Sequence, residues 1–319
     1  MDQPTLSELE DAARVIYGQF QPTPHICWPL LCERAGTEVW VKHENHTPIG
    51  AFKIRGGLVY MDGLRREFPD VKGVITATRG NHGQSVALSA TKAGLEAVVV
   101  VPHGNNPEKN AAMRALGAEL VEHGDDFQAS AEFASDLAGE KGLHFVNSFH
   151  PWLVKGVGTY SLEFLGAARD LDTVYIPIGM GSGISGLISA RDALGLKTKI
   201  VGVVSDNAPA YKLSFEKGEV VSTNSSDTLA DGVACRSPNA EALDIILKGA
   251  ERVISVSDAA IVAAMGHYLT DTHNLAEGAG AIGLAALLSE KDKMKGKKIG
   301  LILSGGNADR AIIEKTLNP

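Results

Sequence analysis

Nine short runs rich in Val and Ile, each bounded by turn residues, limit what this chain can fold into: EVWVKHE, GVITAT, LEAVVVVP, AELVEHG, LHFVNS, TVYIPIG, TKIVGVVS, RVISVSD and KIGLILSGG. Each reads as a strand. Between them PEKNAAMRALG, DFQASAEFASDLAGEKG, GISGLISARDALG and DAAIVAAMGHYLTDT show the apolar spacing of helices. Strands alternating with helices predict an α/β fold with parallel sheets covered on both faces. The lack of polar alternation inside the runs predicts burial on both sides of each strand. The alternation falls into two clusters, from about residue 52 to 148 and from 174 onward, with no repeat or low-complexity linker between them. Two open parallel-sheet domains are expected.

Composition removes several function classes. The formal net charge is -8 and the pI about 5.7, whereas nucleic-acid surfaces neutralise phosphates with clustered Lys and Arg. The basic cluster KDKMKGKK reads as a solvated turn between a helix and a strand. No apolar run approaches the ~20 residues of a membrane span. The N-terminal MDQPTLSELEDAARVIY reads as an acidic, capped helix and not as a signal peptide, so a cytoplasmic protein with neither nucleic-acid nor membrane partners is expected. The 3 cysteines, Cys27, Cys32 and Cys235, show no metal-type pairing and suit a reducing compartment. His43 and His46 have no second cluster to support them and read as core or solvated groups rather than metal ligands.

Ligands of open parallel sheets bind at the carboxyl ends of strands, and several junctions there hold chemistry-bearing residues. After TVYIPI comes GMGSGISG, a loop whose backbone N–H groups and helix start can cradle an anion. Gly181, Gly183 and Gly186 also match the dinucleotide pattern G-x-G-x-x-G, with Asp206 about where a ribose-binding acid would sit, so a nicotinamide oxidoreductase is a rival reading. PIGAFKIRGG sets Lys53 beside Phe52 at a helix start; TATRGNHGQSVALSA puts Arg79, Asn81 and His82 where the chain leaves a strand; LILSGGN ends a strand with Ser304. Alone, each has a plain structural reading, such as an exposed lysine or a tight turn. Together a lysine, a phosphate cup, a strand-end hydroxyl and an asparagine loop are the parts needed to hold pyridoxal phosphate, and a nicotinamide enzyme has no evident use for the set.

AFKIRGG, RGNHGQ, GMGSGISG, AEGAGA and LSGGN occur in the order and spacing of the fold type II pyridoxal-phosphate enzymes, and the chain resembles the serine/threonine dehydratases and serine racemases, from PTPH at Pro22 to SGGN. The resemblance implies fold type II architecture, with the cofactor in the cleft between a discontinuous large domain, residues 1–51 and 149–319, and a small domain, residues 52–148, that carries the substrate loop. It makes Lys53 the Schiff-base lysine and Phe52 a residue packed on the cofactor ring. Asn81 would hydrogen-bond the ring's phenolic oxygen, Gly179, Met180, Gly181, Ser182 and Gly183 would bind the phosphate, and Ser304 would face the pyridine nitrogen. Thr78, Arg79, Gly80, Asn81 and His82 correspond to the substrate-carboxylate loop. Glu277 matches a family acid near the cofactor; the alternative is a helix-start carboxylate favoured by the dipole. The family also implies a homodimer acting on a small amino acid.

The chemistry so implied uses Lys53 twice, first to hold the cofactor and then as the base at the substrate's Cα. A serine at the ring nitrogen makes the ring a weaker electron sink than a carboxylate would, which favours prompt loss of a β-hydroxyl over transamination. The products are a 2-oxo acid and ammonia, the reaction of a dehydratase or ammonia-lyase. Biosynthetic threonine dehydratases carry a C-terminal regulatory domain, and with Asn307 so near residue 319 a stand-alone catabolic enzyme is expected.

Two departures from the family pattern matter. Where serine racemases carry a metal-binding glutamate and aspartate, this chain has Val204 and Ala210, so no metal site is expected. Where they carry a loop serine that serves as the opposite-face base, it has Arg79. Arginine stays protonated at neutral pH, which disfavours racemisation, and its planar fork suits a second carboxylate on the substrate's β-carbon. That points to 3-hydroxyaspartate. The alternative is that Arg79 turns away to pair with Glu277 or Asp231. Threonine, serine and a hydroxyectoine-breakdown intermediate are the other substrates within the resemblance. A β-replacement synthase and a non-catalytic cofactor-binding regulator are rivals of other classes.

Overall fold

The computed structural model describes residues 1–168 and 170–317. Among these, the strands are β1 His25–Cys27, β2 Glu38–His43, β3 Gly73–Ala77, β4 Glu96–Val101, β5 Glu119–Glu122, β6 His144–Phe145, β7 Thr173–Pro177, β8 Lys199–Ser205, β9 Arg252–Val256 and β10 Lys298–Leu303. All nine apolar runs are strands. They form a six-stranded sheet, ordered β1-β2-β10-β7-β8-β9, and a four-stranded sheet, ordered β5-β4-β3-β6. Every pairing is parallel except that of β1 with β2. The antiparallel β1 escaped the sequence reading because its three residues lie between Pro24 and Pro29, too few to show a period.

Burial follows the two-residue period of a strand. In β7, Val174 and Ile176 enter one core of the large sheet while Tyr175 enters the core on its opposite face. In the small sheet, Val99 and Val101 face one core and Val98 and Val100 the other. The expectation of two-sided burial fails at β5 and β9, which are partly exposed. Both are edge strands.

The helix Lys53–Glu67 runs from one sheet to the other. Just before it, Ala51 bridges to Gly305 beyond β10, and the Phe52 N–H donates to the Ser304 carbonyl at 2.9 Å. Farther along, Tyr60, Met61 and Leu64 enter the small-sheet core. Between these points Arg55 is wholly buried. It forms two-pronged ion pairs with Glu44 (2.7 and 3.0 Å) and Glu163 (2.7 and 3.0 Å), while Lys42 reaches Glu163 at 2.5 Å. Two cations thus balance two carboxylates in a buried group.

The readings of the N-terminal helix and of His43 hold. Thr5 and Glu8 form a capping box at the helix Leu6–Tyr17. His43 is a core residue whose Nε2 accepts from Trp28 at 2.9 Å. All three cysteines are free. Among the described residues no helix is long and apolar enough to cross a membrane, and no cluster of three or more His, Cys, Asp or Glu could hold a metal ion. Val204 and Ala210 are both buried.

Candidate active site

Two helix starts converge on Lys53. The first belongs to the helix Ser182–Ala193, which follows β7 through the glycine loop. Gly181 sits there at φ 97°, a left-handed conformation that favours glycine, and no side chain caps the helix. A Cβ on Gly179 would collide with the Gly232 carbonyl. The Met180 carbonyl is fixed by the Tyr211 hydroxyl at 3.0 Å, which orients the loop. Uncapped N–H groups at a positive helix end suit a phosphate.

The second start is that of the helix Asn81–Lys92, which leaves the end of β3 through Thr78, Arg79 and Gly80 and again has no side-chain cap. Thr78 is buried and its Oγ1 accepts from the Gly80 N–H at 3.1 Å, which shapes the turn. The helix is locked to Lys53 by Ser85, whose hydroxyl donates to the Lys53 carbonyl at 2.6 Å.

Between the two starts, the Lys53 Nζ lies 3.5 Å from the Ser182 Oγ and 4.9 Å from the centre of the Phe52 ring. That ring stands edge-on to Tyr160 and borders Gly183. Burial lowers the Lys53 pKa to about 8, against the opposing pull of the Glu277 carboxylate. Ser304 is buried at the end of β10 and is clamped to the residue before Lys53 by the Phe52 hydrogen bond already described.

His82 belongs to the loop by sequence, but its ring is buried. Burial first, and then the Lys53 charge, lower its pKa to about 3, and its Nε2 has no partner among the described residues. The imidazole is therefore neutral near Lys53.

Asn81 is held from both sides. Its Nδ2 donates to Glu277 Oε1 and Oε2 at 2.8 and 3.1 Å, and its Oδ1 accepts from Asn307 Nδ2 at 2.7 Å. Glu277 does begin a helix, Gly278–Ser289, but its side chain does not cap it. The carboxyl pKa is raised by burial, with the Asn81 hydrogen bond opposing. The two acids offered as partners for Arg79 are thus engaged elsewhere, since Asp231 pairs with Lys109 at 2.5 Å. Arg79 itself is exposed and makes no ion pair or side-chain hydrogen bond among the described residues.

Asn307, Lys109 and Ser85 join the site without a role expected from sequence, and Asp231, expected only as a partner for Arg79, pairs with Lys109 instead. Asn307 closed a recognised motif, a usable signal; the other three meet the site only through long-range packing.

The residues present fit pyridoxal phosphate. A Cβ would collide at Gly179 and Gly181, the helix that follows has no side-chain cap, an amine of lowered pKa stands beside it, and a polar His82 nitrogen lies unpartnered among the described residues near that amine. Lys53 would hold the aldehyde carbon, the loop from Gly179 to Gly183 the phosphate, and Phe52 and Ser304 the ring.

The pyridoxal-phosphate dependent enzyme family matches residues 16–305. The chain belongs to this family, and its cofactor is pyridoxal phosphate. Within the family it is 33% identical over 315 residues to an L-threonine ammonia-lyase of Thermotoga maritima, covering 98% of this chain and 78% of that one. It is 32% identical over 308 residues to an L-threo-3-hydroxyaspartate ammonia-lyase of Saccharomyces cerevisiae, covering 96% and 94%. A solved pyridoxal 5'-phosphate-dependent aspartate racemase superposes with a TM-score of 0.93 at 29% identity, covering 100% and 99%.

Proposed function

We propose that the enzyme is an ammonia-lyase that eliminates water from a β-hydroxy amino acid, and that 3-hydroxyaspartate is its favoured substrate. The observation that carries the substrate is Arg79, a cation in the substrate loop whose two candidate protein partners are otherwise engaged. A loop cation free of protein carboxylates suits a substrate that brings a second one. The yeast relative is named for such a substrate and the aspartate racemase for another dicarboxylic amino acid. Threonine is the second reading, favoured by the name of the Thermotoga relative.

Pyridoxal phosphate, when bound, supplies the electron sink for deprotonation at Cα. The helix start at Asn81 holds the α-carboxylate. Lys53, with a pKa lowered toward neutrality, takes the Cα proton on Nζ. The same proton is then available to the departing β-hydroxyl, which leaves as water. Asn307 and Glu277 keep the Asn81 amide in one orientation throughout.

The reading also includes a homodimer in the cytoplasm, and a small domain of residues 52–148, which contains the whole four-stranded sheet. Light scattering of the purified protein checks the dimer.

The substrate is tested by kcat/KM for serine, threonine and the 3-hydroxyaspartate stereoisomers, in wild type and Arg79→Ser. An ion pair at an exposed arginine contributes up to about 1 kcal/mol, so the variant should lose up to about fivefold toward 3-hydroxyaspartate and little toward threonine. A wild type that prefers threonine, or equal losses on all substrates, refutes the assignment.

A further inference from the structure

Resting on the reading that the substrate carries a second carboxylate, we propose that Lys109 is a specificity-determining residue that receives this carboxylate, with Asp231 holding the position until substrate arrives. Lys109 lies in the first turn of the helix Pro107–Ala115, where the Asn106 side chain caps both the Glu108 and the Lys109 N–H. Its backbone is thereby fixed. The side chain runs along the substrate loop: a Cβ built on Gly80 would stand 3.2 Å from the Lys109 Cδ and 3.9 Å from its Nζ. The ammonium therefore lies against Gly80, the residue that follows Arg79 in the loop that takes the α-carboxylate.

On its other side the ammonium meets Asp231 Oδ2 at 2.5 Å. Asp231 opens the short turn Asp231–Val233, and the Gly232 carbonyl of that turn packs against Gly179 in the glycine loop. The pair thus stands where the substrate loop and the phosphate loop come together. The other nearby carboxylates have partners of their own. Glu277 is held by Asn81, and Asp309 accepts from the Asn106 amide at 3.2 Å. Lys109 makes its ion pair with Asp231.

The two ends of this pair are unequal, because the Lys109 side chain is 12% exposed and that of Asp231 is 46% exposed. A nearly buried ammonium needs a carboxylate beside it. A half-solvated aspartate loses little on returning to water, since ion pairs at the surface contribute little to stability. Exchange of the Asp231 carboxylate for one on the substrate is therefore close to balanced, and Lys109 stays paired throughout. A substrate with a single carboxylate leaves the pair as it is. Asp231 is accordingly a positioning residue that acts through Lys109 and competes with the substrate.

The test uses the holoenzyme as wild type, Lys109→Met and Asp231→Asn. It measures kcat and KM for 3-hydroxyaspartate and threonine, and the melting temperature with succinate or propionate added. Lys109→Met should lower the ratio of kcat/KM for 3-hydroxyaspartate over threonine by about 30-fold, mainly through KM, and should abolish the rise in Tm caused by succinate. Asp231→Asn should lower KM for 3-hydroxyaspartate and preserve the succinate rise. The inference is overturned if Lys109→Met keeps the ratio or the succinate rise. It is equally overturned if Asp231→Asn raises KM for both substrates alike, as loss of a simple lobe latch would. If wild type prefers threonine, the substrate reading fails by itself and succinate binding decides the role of Lys109. A succinate rise lost in Lys109→Met then supports dicarboxylate binding there, and no rise in wild type overturns it.

Discussion

Replacing Arg55 with leucine removes one charge from a closed group of four. The side chains of Arg55, Glu44 and Lys42 are 0% exposed and that of Glu163 is 6% exposed, so water cannot take over the lost partner. Arg55→Leu leaves two carboxylates facing Lys42 alone and strips Thr159 and Thr23 of the guanidinium that bonds them at 3.1 and 3.3 Å. Breaking a buried pair by removing one partner costs about 3–5 kcal/mol. Against a native stability of roughly 5–15 kcal/mol, that is a large share. The sign of the pH dependence is also determined. In the variant an orphaned carboxylate has its folded pKa raised above the unfolded value near 4.3. The deficit is therefore largest at pH values above the raised pKa and shrinks as the pH falls and the group takes up a proton. Urea unfolding of wild type and variant at pH 8 and pH 5.5 measures both effects. Adding Glu44→Gln to Arg55→Leu should recover part of the loss, because it removes the stranded charge. A deficit below about 1 kcal/mol at pH 8, or one that does not change with pH, refutes the argument.

Lys53→Ala should abolish turnover together with the visible absorbance of the cofactor-loaded enzyme; a fully active variant would remove Lys53 from its assigned place. Capture of added pyridoxal phosphate by apoenzyme should speed up about fivefold from pH 7 to pH 8, because the neutral fraction of an amine with a pKa of about 8 rises by that factor. A flat profile would count against that pKa. His43 and His82, whose pKa values burial lowers to about 4 and about 3, stay neutral in the fold while the unfolded chain takes up protons near 6.5. Their contribution is complete above that value and is lost as the pH falls toward the folded values, by about 2 kcal/mol per histidine at pH 5. The urea midpoint should drop between pH 7 and pH 5, and an unchanged midpoint would show that these rings are not buried as neutral groups.

The sheets were legible because burial on both faces writes itself into consecutive residues: TVYIP could only be a strand covered on both sides, and it is. The glycine loop was legible for a similar reason, since close backbone approach at Gly179 and a left-handed φ at Gly181 demand a residue type that sequence displays. What sequence could not display was pairing over distance. Asn81 meets Asn307 and Glu277 from separate ends of the chain, and Lys109 meets Asp231 across the cleft. No local period marks such contacts. The Arg55 group is assembled from three separate segments, residues 42–44, 55 and 163; its one local trace is an arginine set among the apolar and glycine residues of FKIRGG.

The order of the large sheet has a consequence for how the chain is made. β10 lies between β2 and β7, and its Lys298 pairs with Glu38. During synthesis the four-stranded sheet is complete once Phe145 has emerged from the ribosome, and its contacts are comparatively close in sequence. The large sheet must wait for nearly the whole chain. Until then β2 and β7 each present an unpaired apolar edge, open to other nascent chains. Slow translation of the last segment, or a stop codon before residue 298, should therefore yield aggregated large lobe around an already folded small one.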